Sequence, residues 1–120
     1  MNKDYTELEV WQESRKLANH IYGLTKSFPK EEQFGLTNQI RRAVVSVSSN
    51  IAEECGRQTT KDSINFLHIS RGSLYELETQ CFIAIDQGYI TSEQFKNVFD
   101  VIQSCKRLTN GFINYYRKLL

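Results

Sequence analysis

Residues Leu36–Arg57 read LTNQIRRAVVSVSSNIAEECGR, and the periodicity of this stretch decides the fold. At about 100° per residue, Leu36, Ile40, Ala43, Val44, Val47 and Ile51 fall on one face, with Asn50 at its edge. Arg42, Ser46, Ser49 and Glu53 form a polar flank. Arg41, Val45, Ser48 and Ala52 form a third face of small, partly apolar side chains. Apolar residues at three-and-four spacing from Leu36 to Cys55 specify an amphipathic helix, and Gly56 supplies its C-terminal stop.

The sequence on either side has the same character. Upstream, Val10, Trp11, Ser14, Leu17, Ala18, Ile21, Leu24 and Phe28 make one apolar stripe, predicting a helix over Leu8–Phe28 that Pro29 ends. The connection Pro29–Gly35 holds one short helical turn. Downstream, a threonine cap at Thr59 or Thr60 opens a third helix that runs to Gln87, with Gly88 as its stop. Ile64, Leu67, Leu74, Cys81 and Ile85 lie on one side of it, and Phe66, Ile69, Leu77 and Ala84 on another, so two of its faces should be covered. Thr91 and Gln94 form a capping box for a fourth helix reaching Lys118. Its heptad is Phe95, Val98, Ile102, Cys105, Thr109, Phe112, Tyr116 and Leu119. No strand pattern competes. Four long helices with short links predict an all-α, antiparallel up-down-up-down four-helix bundle, with residues 1–120 as a single domain.

Composition narrows the function classes. The net charge of +1 provides no global field for nucleic acid or membrane. The charge is nevertheless polarised, from Asp4, Glu7, Glu9 and Glu13 at the start to Lys106, Arg107, Arg117 and Lys118 at the end. Cys55, Cys81 and Cys105 are odd in number and lack metal-ligand spacing, so they are expected as small buried residues of a cytoplasmic protein. The N-terminus has no secretory apolar region, and no segment is long enough for a membrane span. His20 and His68 have no adjacent ligand or nucleophile, and no phosphate loop, HExxH or Glu-x-x-His pair occurs. The expectation is no enzyme, no metal and no cofactor.

Three groups of residues remain as candidates. Arg41, Arg57, Lys61, Lys106, Arg107, Arg117 and Lys118 are the candidates for nucleic-acid phosphate, which needs cations gathered on one surface. Arg41, on a face apart from the core, suits an outside partner. Arg42, Asn50, Glu53, Ser73 and Glu76 are candidates for a structural polar network that fixes helix register, because polar groups at a core edge must find partners. Val101, Leu108 and Tyr115 form a second apolar line on the fourth helix. This line is either an oligomer seam or the margin of a wide core stripe.

The stretch LTNQIRRAVVSVSSNIAEECGR, the pattern at Gly72, Ser73, Glu76, Leu77, Glu78, Thr79 and Gln80, and the opening LEVWQESRKLANHIY resemble the four-helix-bundle proteins encoded in intervening sequences of bacterial 23S ribosomal RNA genes, the S23 family. The resemblance spans roughly Leu8 to Leu119. It departs at Glu54, where the family usually has glycine, and at Ser70 and Arg71, where small or apolar residues are common. The resemblance implies a four-helix bundle without established enzymatic activity, from a family of which several members assemble as homopentamers. Similar proteins serve as accessory subunits of diversity-generating retroelements, where a pentameric ring meets a reverse transcriptase and nucleic acid. Two function classes follow: an oligomeric scaffold associated with RNA or DNA, or a module that binds a protein partner without nucleic acid.

Overall fold

The computed structural model describes residues 4–120. Four helices account for most of them: α1 Glu9–Thr25, α2 Leu36–Cys55, α3 Thr60–Asp86 and α4 Ser92–Arg117. Short 3₁₀ turns at Tyr5–Glu7 and Lys30–Glu32 precede α1 and α2. Each helix packs on its sequence neighbours, and α4 closes the ring against α1. Side-chain contacts fix the antiparallel sense: Ser70 meets Val47, Arg71 meets Asn110, and Ser14 meets Cys105. The result is the predicted up-down-up-down bundle, 45 × 25 × 21 Å in extent.

Local chemistry sets the ends of the helices. Thr59 accepts the Asp62 N–H at 3.1 Å to open α3. Thr91 and Gln94 exchange the two bonds of a capping box to open α4. Gly88 turns the chain between them at φ +77°, a conformation that only glycine adopts without strain. α2 has no capping side chain in the residue before it. Instead Glu32 Oε1 accepts the Leu36 N–H at 3.0 Å, and Glu32 Oε2 accepts the Tyr89 hydroxyl at 2.8 Å. One carboxylate thus caps a helix and ties together the two connections at this end of the bundle. These bonds to the charged form, the Leu36 N–H first, hold its pKa below the usual value.

One hydrophobic cluster runs through the bundle, and Leu17, Ile40, Val44, Val47, Leu74, Leu77 and Ile102 are at most 1% exposed. Three expectations need correction. α1 ends at Thr25 rather than Phe28: Pro29 keeps Phe28 out of the helical conformation, and the chain leaves the helix through a turn in which the Phe28 N–H donates to the Thr25 carbonyl at 3.1 Å. On α3, Leu77 and Ala84 belong to the core face, whereas Ile69 is 51% exposed, so the second apolar side is only partly covered. On α4, the buried series is Phe95, Val98, Ile102, Cys105, Thr109 and Ile113. A straight helix of 3.6 residues per turn drifts away from a strict seven-residue repeat. Five turns after Phe95 the core therefore receives Ile113, while Leu119 is 57% exposed.

This register predicts a contrast in urea unfolding. Ile113→Ala should cost about 2–5 kcal/mol, and Leu119→Ala less than about 0.5 kcal/mol. The reverse order would place the heptad reading, not this one, in the core.

Candidate nucleic-acid interface

The seam between α2 and α3 positions everything around it. Ser63 Oγ donates to the Glu54 carbonyl at 3.2 Å, Ser70 Oγ to the Val47 carbonyl at 2.8 Å, and Ser73 Oγ to Ser46 Oγ at 2.8 Å. Asn50 Nδ2 donates to the Ser46 carbonyl at 2.8 Å and to its hydroxyl at 3.0 Å. Of the expected polar network, Asn50 and Ser73 thus meet through Ser46. Arg42, Glu53 and Glu76 do not join them, and all three are exposed. Glu53 pairs with Arg57 at 3.5 Å. Arg42 and Glu76 border an open cleft of about 270 Å³ with Gln39 and Ser46. Their long side chains reach water from the rim of the seam, which avoids the cost of desolvating a charge.

The carboxyl buried in their place belongs to Glu54, only 2% exposed. Sequence reasoning missed it, although it stands seven residues after Val47 on the core stripe. Its Oε2 accepts the Tyr116 hydroxyl at 3.0 Å, and its Oε1 accepts the Cys55 thiol at 3.4 Å. Burial raises its pKa despite these two donors. Cys55 is an exposed residue rather than a buried one, but its thiol lies against this carboxyl. Desolvation, then the Glu54 charge, push that thiol up to about 12. Cys81 and Cys105 are buried as expected, and burial pushes them to about 12 and about 11. None of the three is a ready nucleophile. Among the described residues no group of His, Cys, Asp and Glu could hold a metal ion.

The seven candidate cations have different fates. Arg41 is tied to α1: its Nε donates to Thr25 Oγ1 at 2.8 Å, and its guanidinium lies 4.6 Å from the Tyr22 ring centre. α1 thus takes up the Arg41 end of the face that the helical wheel left empty, while Val45 on the same face stays 41% exposed. Lys106 is also internal, with its side chain 12% exposed. Its Nζ pairs with Glu78 at 2.9 Å and lies 4.0 Å from the Tyr75 ring centre, while Gln103 donates to the other Glu78 oxygen at 2.6 Å. Arg107 is exposed on α4, some ten residues before its end.

The remaining four lie at one end of the bundle. Arg57 follows α2, Lys61 lies in the first turn of α3, and Arg117 and Lys118 close α4. The Tyr116–Glu54 contact brings that last turn of α4 to the α2–α3 connection. Arg57 also lies 4.8 Å from the Phe66 ring centre. Deeper on the same side, Arg71 donates to Asn110 Oδ1 at 2.8 Å and to His68 Nδ1 at 3.0 Å. Desolvation, then the charges of Arg71 and Arg117, hold the His68 pKa down. Against these cations stand Asp62, the Glu53 already paired with Arg57, and Asp4, whose charge reaches Cys55 at the end of α2. This end of the bundle can offer phosphate a set of cations that the sequence scatters over sixty residues.

The second apolar line divides. Val101 and Leu108 pack partly against the core, whereas Tyr115 is 58% exposed. Leu108, Gly111, Phe112 and Tyr115 line an apolar groove of about 300 Å³.

The internal position of Lys106 has a measurable consequence. Lys106→Ala should destabilise the fold by about 1–3 kcal/mol, because Glu78 is left between α3 and α4 with Gln103 alone. Urea unfolding reads this directly, and unchanged stability would return Lys106 to the surface cations.

The comparisons agree with this architecture. No curated protein matches the chain in sequence. The crystal structure, at 1.70 Å, of a protein of unknown function from the S23 ribosomal protein family of Bacteroides thetaiotaomicron superposes with a TM-score of 0.80 and 28% identity. The alignment covers 87% of this chain and 97% of that one. The family model for the 23S rRNA-intervening sequence protein matches residues 6–111, and the chain belongs to that family.

Proposed function

We propose that this protein is a non-enzymatic, cytoplasmic helical scaffold that self-associates and presents the basic end of its bundle to nucleic-acid phosphates, RNA above all. The position of Arg57, Lys61, Arg117 and Lys118 at one end of the bundle supports this reading. Four cations are modest in one copy, but a symmetric ring repeats them around its axis. The favoured assembly is a homopentamer, with Val101, Leu108 and Tyr115 at the seam between copies. The exposed Tyr115 and the groove beside it support that choice.

A second reading is a protein-interaction module that works without nucleic acid. It is motivated by Phe34, which is 88% exposed in the connection before α2. An aromatic side chain so placed is an anchor available to a partner's pocket.

Two measurements test the proposal. Replacing Arg57, Lys61, Arg117 and Lys118 by alanine should weaken binding of structured RNA in a filter assay. It should also flatten the log K against log [salt] slope by about 3, at roughly 0.7–0.9 per lost phosphate contact. Lys96→Ala, on the exposed surface at the other end of α4, should leave both unchanged. Absence of RNA binding by the wild-type protein at low salt would overturn the nucleic-acid role. Leu108→Glu with Tyr115→Glu should dissociate the assembly in sedimentation equilibrium, and a wild-type monomer at micromolar concentration would overturn self-association.

A further inference from the structure

Glu54 is a buried carboxyl at the junction of three helices, and its partners there are unusual. From α2 itself comes the Cys55 thiol, at 3.4 Å from Oε1. From α4 comes the Tyr116 hydroxyl, at 3.0 Å from Oε2. From α3 comes Ser63, which bonds the Glu54 carbonyl rather than its carboxyl. Glu53 and Arg57, the nearest charged residues along the chain, are exposed and pair with each other. Asp4, beside the turn that precedes α1, acts electrostatically on Cys55 and adds only negative charge. Among the described residues no cation lies within ion-pair distance of Glu54. A carboxylate in that position has lost its water and gained no counter-charge.

The carboxyl is also the link between two helix ends that are 62 residues apart in sequence. Tyr116 is the last half-buried residue of α4, and the exposed Arg117 and Lys118 follow it. Ile113, one turn earlier, is 1% exposed and anchors the helix in the core. The segment that depends on the Glu54 contact is therefore the final turn of α4 and not the whole helix.

We propose that Glu54 and Tyr116 form a proton-dependent latch. The protonated carboxyl closes the last turn of α4 onto the end of α2, and its ionisation releases that turn. When the proton is bound at Oε1, Oε2 still accepts the Tyr116 hydroxyl, and the neutral group is tolerated in the buried site. When the proton leaves to water, the carboxylate regains hydration only by moving outward, which breaks the contact with Tyr116. Burial outweighs the two donors, so the folded protein binds this proton more tightly than the unfolded chain does, whose value is 4.5. The stability that Glu54 contributes is accordingly full below that value and is lost as pH rises through the folded-state value. The latch holds whether or not the basic end meets nucleic acid, since its closed state is defined by the α4 terminus alone.

Hydrogen exchange of the intact protein tests the latch. After correction for intrinsic rates, amides at 114–118 should exchange severalfold faster at about pH 8 than at about pH 4, while amides at 70–80 in α3 respond much less. Glu54→Gln, neutral at both pH values and of the same shape, should remove the difference at 114–118. A difference that persists in Glu54→Gln, or is missing from the wild type, overturns the proposal. A ¹³C titration of the Glu54 carboxyl in the wild type requires no variant to fold. Its midpoint should lie above 4.5, with the Tyr116 and Arg117 amides shifting through the same midpoint. A midpoint at or below 4.5, or amides indifferent to it, overturns the latch equally. RNA binding enters neither readout, so failure of the latch is distinguishable from failure of the scaffold reading.

Discussion

Three serine hydroxyls hold the two middle helices together, and the rest of the bundle is laid over that pair. Ser63 and Ser70 of α3 donate to main-chain carbonyls of α2, and Ser73 donates to a hydroxyl on it. A carbonyl already engaged in its own helix can accept such a bond only if the partner helix lies close. Small side chains at the contact permit that approach, and hydroxyls satisfy the oxygen atoms they bury. The seam thus fixes the separation and the register of α2 and α3 together. α1 and α4 then meet a pair whose grooves are already defined, and they add Leu17, Ile21, Phe95 and Ile102 to the core.

The same constraint decides where chemistry is available. Ser46, Asn50 and Ser73 are used in holding the helices, and Arg41 is used in holding α1. Lys106 and Glu78 satisfy each other between α3 and α4. What remains open is at the ends. One end carries the Glu32 tie and the exposed Phe34. The other gathers Arg57, Lys61, Arg117 and Lys118 around the Glu54 contact. The stretch that labels the family is accordingly an internal part, and the surfaces that can meet a partner flank it.

Much of this was legible in the sequence. The apolar spacing of α1 and α2, the Thr91–Gln94 box and Gly88 predict the helices and their order, because local chemistry alone sets them. Ser73 and Asn50 were readable as core-edge groups that need partners. Ser63 and Ser70 were readable only in principle, since a seven-residue spacing of small side chains marks a close helix contact without naming the partner. Glu54 was obscured by its charge, although its place after Val47 and Ile51 on the wheel puts it in the core stripe. Arg41 and Lys106 could not be placed from sequence. Their fate depends on Tyr22, Thr25, Tyr75 and Glu78, which reach them only across helix pairs. The switch from Phe112 to Ile113 in α4 reflects the difference between 3.5 and 3.6 residues per turn, which becomes visible only over a long helix.

The serine seam sets the spacing on which the bundle depends. Ser70 tests it most directly, since it is fully buried and bonds the Val47 carbonyl at 2.8 Å. In urea unfolding, Ser70→Ala should cost about 1 kcal/mol for the lost bond. Ser70→Leu should cost more than Ser70→Ala, because overpacking adds about 1–3 kcal/mol where two helices must be wedged apart. A Ser70→Leu protein as stable as the wild type would show that α2 and α3 do not need the close approach, and would contradict the account.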